Sequence, residues 1–303
     1  MKLPSVTIKN LLQAGVHLGH KTFRWNPKMD KFIFGSNKSI HIIDLVQTLE
    51  LINVALLKIH ETISSGGKIL FVSTKKQAAA SIANLAKETS QFYVNHRWLG
   101  GMLTNWKTIS NSIKRYKKLS LDLKKENTGF TKKEILKMGI QRDKLERSLG
   151  GIAEMAKIPD MIFIIDTNIE ELAVKESIKL NIPIVAILDT NSDPGGIDYP
   201  IPGNDDARRA INLYCDLIKQ TILDAQSNRT KTVSIEEKKI NKSHPDTQSK
   251  EKKVNAIDKD GEKATINKKK IKVAKKISSS IISKVKSLAA KAAKAAKASK
   301  KTK

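Results

Sequence analysis

The sequence predicts an α/β fold built on a parallel sheet. Two runs of five apolar residues, 161–165 and 184–188, each end at an aspartate, Asp166 and Asp189. Neither run alternates polar and apolar side chains, which is typical of strands buried on both faces of a parallel sheet. Apolar residues at helical spacing separate the two runs. The stretch 159–190 therefore predicts a strand–helix–strand unit with a right-handed crossover.

Further strands and helices are predicted on both sides of this unit. Before it they are a helix over 5–14 ended by Gly15, strands at 32–34 and 40–43 around a turn at 35–37, a helix capped by Asp44 that runs to Ser64, a strand at 68–72, a helix at 76–89 and a strand at 92–94. Within it, Ile169, Leu172, Ala173, Glu176 and Leu180 form the predicted helix stripe. After it, a Gly/Pro/Asp loop over 191–203 leads to a helix capped by Asn204 that ends near Gln226.

Between residues 104 and 152 the alternation of strands and helices stops. One apolar stripe at helical spacing runs from Trp106 to Tyr116 and a second from Ile135 to Ile152. Thr131 with Glu134 forms a capping box at the start of the second helix. We therefore expect an inserted antiparallel helical hairpin. The predicted division is an α/β domain over 1–103 plus 156–227, the hairpin over 104–155, and an extension over 228–303.

The charge of the chain is strongly positive and unevenly spread. The chain has 56 Lys and Arg against 30 Asp and Glu, a net charge of +26. Residues 228–303 contain 24 basic and 7 acidic residues, which leaves +9 for residues 1–227. Such an excess favours nucleic acid over a membrane as the partner. The lysine-rich extension has low complexity, and we expect it to be disordered and able to become helical on a polyanion.

The remaining composition indicates a cytoplasmic protein. Cys215 is the only cysteine, which excludes an intramolecular disulfide. The N-terminus has no apolar run of a secretory signal, and no stretch of about 18 apolar residues predicts a transmembrane helix.

Motifs of nucleotide-binding enzymes are absent from the sequence. No G-x-G-x-x-G follows a strand, and neither a P-loop nor a G-x-S-x-G elbow occurs. Asp166 and Asp189 are each followed by Thr-Asn and are interpreted as turn residues. We expect no enzymatic activity, no small-molecule substrate and no required cofactor. A small-molecule enzyme or nucleotide-binding module at these strand ends is the alternative, and a DNA-binding protein acting through its tail is a third class.

Two loops combine cationic, amide and aromatic side chains, a composition that suits contacts with RNA phosphates, 2′-hydroxyls and bases. The candidate RNA-binding residues are Lys21, Arg24, Trp25, Lys28, Asn95, His96, Arg97, Asn105, Lys107, Lys114 and Arg115. Trp98 and Trp106 are expected mainly to pack. A second set could converge on a divalent cation, which is left open: His17, His20, Asp189, Asp205 and Asp206.

Four segments, 11–29, 92–106, 149–166 and 182–207, resemble the bacterial small ribosomal subunit protein two family. The resemblance implies a Rossmann-like (flavodoxin-like) parallel sheet with flanking helices and a protruding coiled-coil hairpin. It also implies a structural protein that binds small-subunit rRNA near the head–body junction. Such a protein helps recruit the large mRNA-binding ribosomal protein and takes part in translation and subunit assembly. The extension after Ser227 is outside the shared core of that family.

Overall fold

The computed structural model describes residues 4–124 and 130–242, with side chains up to residue 229. The helices are α1 (Ile8–Ala14), α2 (Leu45–Ser64), α3 (Ala79–Glu88), α4 (Trp106–Asp122), α5 (Lys132–Leu149), α6 (Glu171–Lys179) and α7 (Arg208–Lys242). The strands are β1 (Leu18–Lys21), β2 (Ile33–Asn37), β3 (Ile40–Ile43), β4 (Ile69–Val72), β5 (Phe92–Val94), β6 (Met161–Ile165), β7 (Ile184–Leu188) and β8 (Tyr199–Pro202). Short 3-10 helices cover Thr22–Arg24, Pro27–Phe32 and Gly150–Ile152.

A parallel sheet of five strands forms the centre of the fold, in the order β5-β4-β6-β7-β8. Tyr93, Phe71, Phe163, Val185 and Tyr199 lie in one row across it. Numbered within the sheet, the strands follow the order 2-1-3-4-5, which is the flavodoxin-like order. Every residue of β6 and β7 is buried, because helices or loops cover both faces of these strands. The predicted α/β class and parallel sheet are confirmed.

The core consists of one apolar layer on each face of this sheet. Alternate residues such as Phe163 face a layer built with α1, α2, α3 and α7. Their neighbours, Ile162 and Ile164, face a second layer that includes the roots of α4 and α5. Because a strand alternates its side chains between faces, one continuous apolar run supplies both layers. The carboxyl edge of the sheet is left free for polar side chains.

A smaller antiparallel sheet, in the order β1-β3-β2, lies near the N-terminus. The segment of β1 is a strand and not the predicted loop, and the hairpin turn does not lie at the predicted residues 35–37, so both predictions were wrong. Gly35 belongs to β2, and the turn is formed by Lys38 and Ser39, whose φ angles are 46° and 60°. A two-residue hairpin turn with two positive φ angles matches the twist of its strands, even without the usual glycine.

Strand β8 and the exposed face of α6 also differ from prediction. The sequence Tyr-Pro-Ile-Pro of β8 was assigned to a loop, yet prolines are tolerated in an edge strand, where one side of the backbone needs no partner. On α6, Ala173 and Glu176 are buried as expected. Ile169 and Leu172 of the predicted stripe are instead 53% and 54% exposed, and Ser177 completes the buried face.

Helices α4 and α5 lie between β5 and β6 in the chain and contact each other. The predicted capping box of Thr131 and Glu134 is present. Burial is limited to the ends nearest the sheet, where Ile113 and Leu149 are enclosed. Farther out, Ile135 of the predicted stripe is 42% exposed. The link residues 125–129 lie outside the described residues.

Helix α7 continues to Lys242, well beyond the predicted end near Gln226. The chain has neither glycine nor proline between Gly203 and Pro245, so no helix-breaking residue interrupts it. Residues 243–303, which hold most of the extension predicted to be disordered, lie outside the described residues. Among the described residues, no helix has the length and apolar character needed to cross a membrane.

Candidate nucleic-acid interface

Thr190 fixes the segment around β1 to the carboxyl edge of the parallel sheet. The backbone N–H of His20 donates to Thr190 Oγ1 at 2.9 Å, and the N–H of Asn26 donates to the Thr190 carbonyl at 2.8 Å. A Cβ on Gly19 would lie 2.6 Å from Thr190 Cγ2, so glycine permits this close approach. The loop that follows β1 therefore projects from a defined position.

The four candidate RNA-binding side chains of this segment, Lys21, Arg24, Trp25 and Lys28, are all exposed. Lys28 Nζ lies 2.7 Å from a carboxylate oxygen of Asp193, so this cation already has a partner on the protein surface. Phe23 is absent from the predicted set although it lies in the same turn and is 72% exposed. The Arg24 guanidinium lies 5.5 Å from its ring centroid. The sequence signal that could have identified Phe23 is its place between the cations Lys21 and Arg24.

Glu176 of α6 organises the second loop, which joins β5 to α4. Its buried carboxylate accepts hydrogen bonds from Trp98 Nε1 at 3.0 Å and from the backbone N–H groups of Gly101, Leu103 and Thr104 at 2.8, 2.9 and 3.0 Å. The Thr104 hydroxyl donates a fifth, at 3.1 Å. Burial alone would raise the pKa of Glu176, but donation from Thr104 and Trp98 outweighs burial and lowers it. The sequence pattern indicated Glu176 only as a member of the predicted helix stripe.

This anchoring separates the packed side chains of the loop from the exposed ones. Trp98 is buried and Trp106 is partly buried, as expected. The exposed members of the predicted set are His96, Arg97, Asn105 and Lys107. Asn95 is only partly exposed, and its Nδ2 donates to the Ala79 carbonyl at 3.4 Å, so part of its hydrogen-bonding capacity is used within the fold.

An open groove of about 420 Å³ separates this loop from α5. His96 and Arg97 line it from the loop, and Lys144 and Arg147 line it from the helix. The single acidic side chain among its lining residues is Asp143, so the groove is cationic. Lys144 and Arg147 are absent from the predicted RNA-binding set. The spacing of three residues places Lys144 and Arg147 on one side of α5. The sequence does not show that this side faces Arg97, because the loop and α5 are far apart in the chain.

The remaining candidates lie on α4, and both are exposed. Arg115 Nη2 lies 3.3 Å from Gln141 Oε1 on α5, whereas Lys114 extends from the helix surface. The two loops are related through the core: Met29, next to Lys28, shares one apolar cluster with Trp98. The two loops with predicted RNA-binding residues therefore pack on the same face of the parallel sheet.

A third group of polar side chains lies at the carboxyl edge of the sheet. His20, Asp189, Asp205 and Asp206 each offer one ligand atom, and these atoms lie within 4.8 Å of one another. His17, a member of the predicted set, does not belong to this group. Asp166, which ends β6, is a turn residue as predicted. Its Oδ1 accepts hydrogen bonds from the N–H groups of residues 168 and 169 at 3.0 and 3.2 Å.

Lys75 lies among these carboxylates. Its Nζ atom is 2.8 Å from Asp205, 2.7 Å from Asp206 and 3.2 Å from Asp166. Burial opposes the ammonium charge, but attraction to Asp205 prevails and raises the pKa of Lys75. Burial, followed by repulsion from Asp166 and Asp189, raises the pKa of Asp205 to about 7. This cluster is acidic, unlike the cationic groove.

Sequence comparisons place the chain among ribosomal proteins. A sequence model of the family described as Ribosomal protein S2 matches residues 11–225. The small ribosomal subunit protein uS2 of Parvibaculum lavamentivorans is 56% identical over 227 residues, covering 75% of this chain and 90% of that protein. The uS2 protein of Caulobacter vibrioides is 58% identical, covering 74% and 84%, and that of Bartonella henselae is 55% identical, covering 78% and 92%.

These relatives are named as ribosomal proteins of the small subunit and not as enzymes, so the prediction of a non-catalytic protein is confirmed and the small-molecule enzyme alternative is excluded. The matched region includes both loops, the parallel sheet, and helices α4 and α5. The chain belongs to the ribosomal protein S2 family.

Proposed function

We propose that this chain is a structural constituent of the small ribosomal subunit that binds small-subunit rRNA through its cationic loops and groove. The observation that supports this most strongly is the loop fixed by Glu176, which presents Arg97 and Lys107 to solvent and places Arg97 beside the cations of α5. A fixed array of cations and amides binds a polyanion without first losing the conformational entropy of a mobile loop.

Electrostatic attraction supplies the affinity in this proposal. The net charge of +9 on residues 1–227 is moderate, but its loops concentrate exposed Lys and Arg. Each cation that neutralises a phosphate releases a condensed counterion, which makes the affinity depend on salt. The extension over 228–303 adds a charge of +17, and we expect it to contribute affinity without sequence preference.

The hairpin is proposed to act as an antiparallel coiled coil that reaches across RNA. Helix α4 has 17 residues, which at the α-helical rise gives a length of about 26 Å. Its exposed cations, including Lys114, would contact phosphates away from the body of the protein. The proposed domain division stays 1–103 with 156–227, then 104–155, then 228–303.

The finer role follows from the family resemblance of the four segments 11–29, 92–106, 149–166 and 182–207. We propose a cytoplasmic protein near the head–body junction of the subunit that helps recruit the large mRNA-binding ribosomal protein. Direct RNA contacts need no cofactor in this proposal, and a divalent cation, if bound, would lie at the acidic cluster of His20, Asp189 and Asp205.

Sedimentation of a cell lysate through a sucrose gradient at two salt concentrations tests this function. Immunoblotting should find the full chain in the small-subunit peak at low and at moderate salt. A chain that stays at the top of the gradient at both concentrations would contradict the proposal. Loss from the peak at moderate salt after replacing Arg97 and Lys107 would locate the contact at this loop.

A further inference from the structure

The segment that leaves β1 is held to the rest of the protein by three backbone hydrogen bonds. The N–H groups of His20 and Asn26 both donate to Thr190, at 2.9 and 2.8 Å. Between them, the N–H of Thr22 donates at 3.0 Å to the carbonyl of Ser39, which lies in the turn between β2 and β3. The backbone between these bonds is therefore fixed, and its outward side chains start from defined positions.

Phe23 belongs to this fixed segment but does not pack in the core. Its side chain is 72% exposed, whereas Met29 and Phe32, farther along the chain, are buried. The apolar core of this part of the chain is thus supplied by other residues. Covering the Phe23 ring with a partner is favourable, because it removes apolar surface from water.

The Arg24 guanidinium covers one side of the Phe23 ring. Its central carbon lies 5.5 Å from the ring centroid, which is within the range of a cation–π contact. The exposure of the ring leaves its opposite face to solvent. Trp25 is arranged in a similar way, since its ring centroid lies 5.5 Å from that of His41 and the residue is 39% exposed. Two neighbouring rings are therefore supported from the protein side and open on another.

The charge around these rings indicates the kind of partner. Segments 15–29 and 31–43 contain no acidic residue, and their cations are Lys21, Arg24, Lys28, Lys31 and Lys38. Lys28 is paired with Asp193. Lys21 precedes Phe23 by two residues, and Lys38 adjoins the turn residue that is bonded to Thr22. An open aromatic face among cations suits a partner with a flat π-face beside a negative charge, which describes an unpaired nucleotide.

We propose that Phe23 stacks on an unpaired base of the RNA partner, with Lys21 and Lys38 beside the adjoining phosphates. Trp25 offers a second ring to the neighbouring base. In a duplex the bases stack on one another, so this site selects single-stranded nucleotides, whereas the groove beside α5 contacts phosphates of either form. Every base has a π-face, so the contact adds affinity with little sequence preference. This inference rests on the proposed RNA-binding function and adds the class of RNA that the site takes.

Binding of the full-length chain to a short single-stranded RNA and to an RNA duplex of the same length tests the inference. Phe23→Leu should weaken binding to the single strand about tenfold, the order of one lost base–aromatic stack. Affinity for the duplex should stay unchanged, and so should the salt slope for the single strand, because no phosphate contact is removed. Phe23→Tyr keeps an aromatic ring and should bind the single strand as the parent chain does. The lysine-rich extension is present in every variant, so its contribution is the same in each comparison.

Phe34→Leu is the control for loss of an exposed phenylalanine. Phe34 is 80% exposed and lies in β2, which β3 separates from β1. Among the described residues, no cation lies over its ring. This variant should keep the affinity of the parent chain for the single strand. Ultraviolet crosslinking of the bound single strand, followed by mass spectrometry, should place the attachment in the peptide that contains Phe23.

The outcomes separate this inference from the proposed function. Parent-like affinity of Phe23→Leu for the single strand would overturn the stacking site and leave RNA binding in place. Equal losses for single strand and duplex, or an equal loss in Phe34→Leu, would also overturn it. A parent chain that binds neither RNA would overturn both proposals. Unchanged RNA affinity in Phe23→Leu together with its loss from the small-subunit peak would assign Phe23 to a protein partner instead.

Discussion

The carboxylate of Glu176 accepts a hydrogen bond from the indole Nε1 of Trp98 at 3.0 Å, although 78 residues separate them in the chain. Together with three backbone N–H groups of the same loop, this contact uses both carboxylate oxygens. A helix on one face of the sheet thus determines the shape of the loop proposed to bind RNA. Charge-assisted hydrogen bonds of this kind are about twice as strong as neutral ones.

Replacing Glu176 by glutamine should destabilise the protein. The amide nitrogen of glutamine is a donor and would face N–H donors of the loop, so two or more bonds are lost, and we expect about 2–4 kcal/mol. Urea unfolding at neutral pH measures the change. Glu171→Gln on the same helix is the control, since Glu171 is exposed and forms a surface ion pair with Lys175. Equal destabilisation by the two replacements would contradict the special role of Glu176.

The contribution of Glu176 should disappear in acid. Its pKa is lower in the folded protein than its ordinary value, so the folded state favours the ionised form. That stability is fully present above the unfolded pKa of about 4.3 and is lost as the pH falls through the lower folded value. The difference in unfolding free energy between the parent chain and Glu176→Gln should therefore shrink below pH 4.3. A difference that stays constant from pH 7 to pH 3.5 would contradict this.

Replacing Arg97 and Lys107 by alanine should weaken binding to small-subunit rRNA and flatten its salt dependence. Each lost phosphate contact lowers the slope of log affinity against log salt by about 0.7–0.9. Filter binding over a range of salt concentrations measures both quantities. Lys58→Ala is the control, because Lys58 lies on α2, which packs on the opposite face of the sheet. Unchanged affinity and slope in the double variant would rule out these two contacts.

Lys144 and Arg147 should behave like Arg97 if the groove beside α5 holds an RNA phosphate. Alanine at both positions removes two cations from the groove wall, so the salt slope should fall by about 1.4–1.8. Lys219→Ala is a suitable control, since Lys219 is on α7 and pairs with Glu88. An affinity drop as small as in this control would restrict the RNA contact to the loop.

Removing residues 228–303 should leave the body folded. Gln226 keeps its bond to the Thr89 carbonyl at 2.7 Å, whereas the Arg229 guanidinium, which lies beside Gly66, is removed. We expect a cost below about 1 kcal/mol, or about 2–4 °C in Tm. Removing only 243–303 should cost less. Circular dichroism during heating measures both, and loss of the cooperative transition after the longer truncation would refute the boundary at 227.

Sequence reasoning located strands and loops well where one strong local signal was present. The apolar runs ending at Asp166 and Asp189 became β6 and β7, and Asp44 caps α2 as predicted. The prediction from sequence failed at Gly35, because glycine favours turns but here lies in strand β2. Strand β8 was not predicted because it contains two prolines. Its place at the sheet edge is set by pairing with β7.

By itself, the sequence determined the α/β class, the basic character of the surface and the family resemblance, because these depend on composition, local periodicity and motif identity. Only the tertiary structure decided that Glu176 holds the loop of Trp98, that Lys144 and Arg147 face Arg97, and that His20 meets Asp205. The physical reason is the same in each case. These side chains come from segments far apart in the chain, and packing of the sheet layers alone sets their distances.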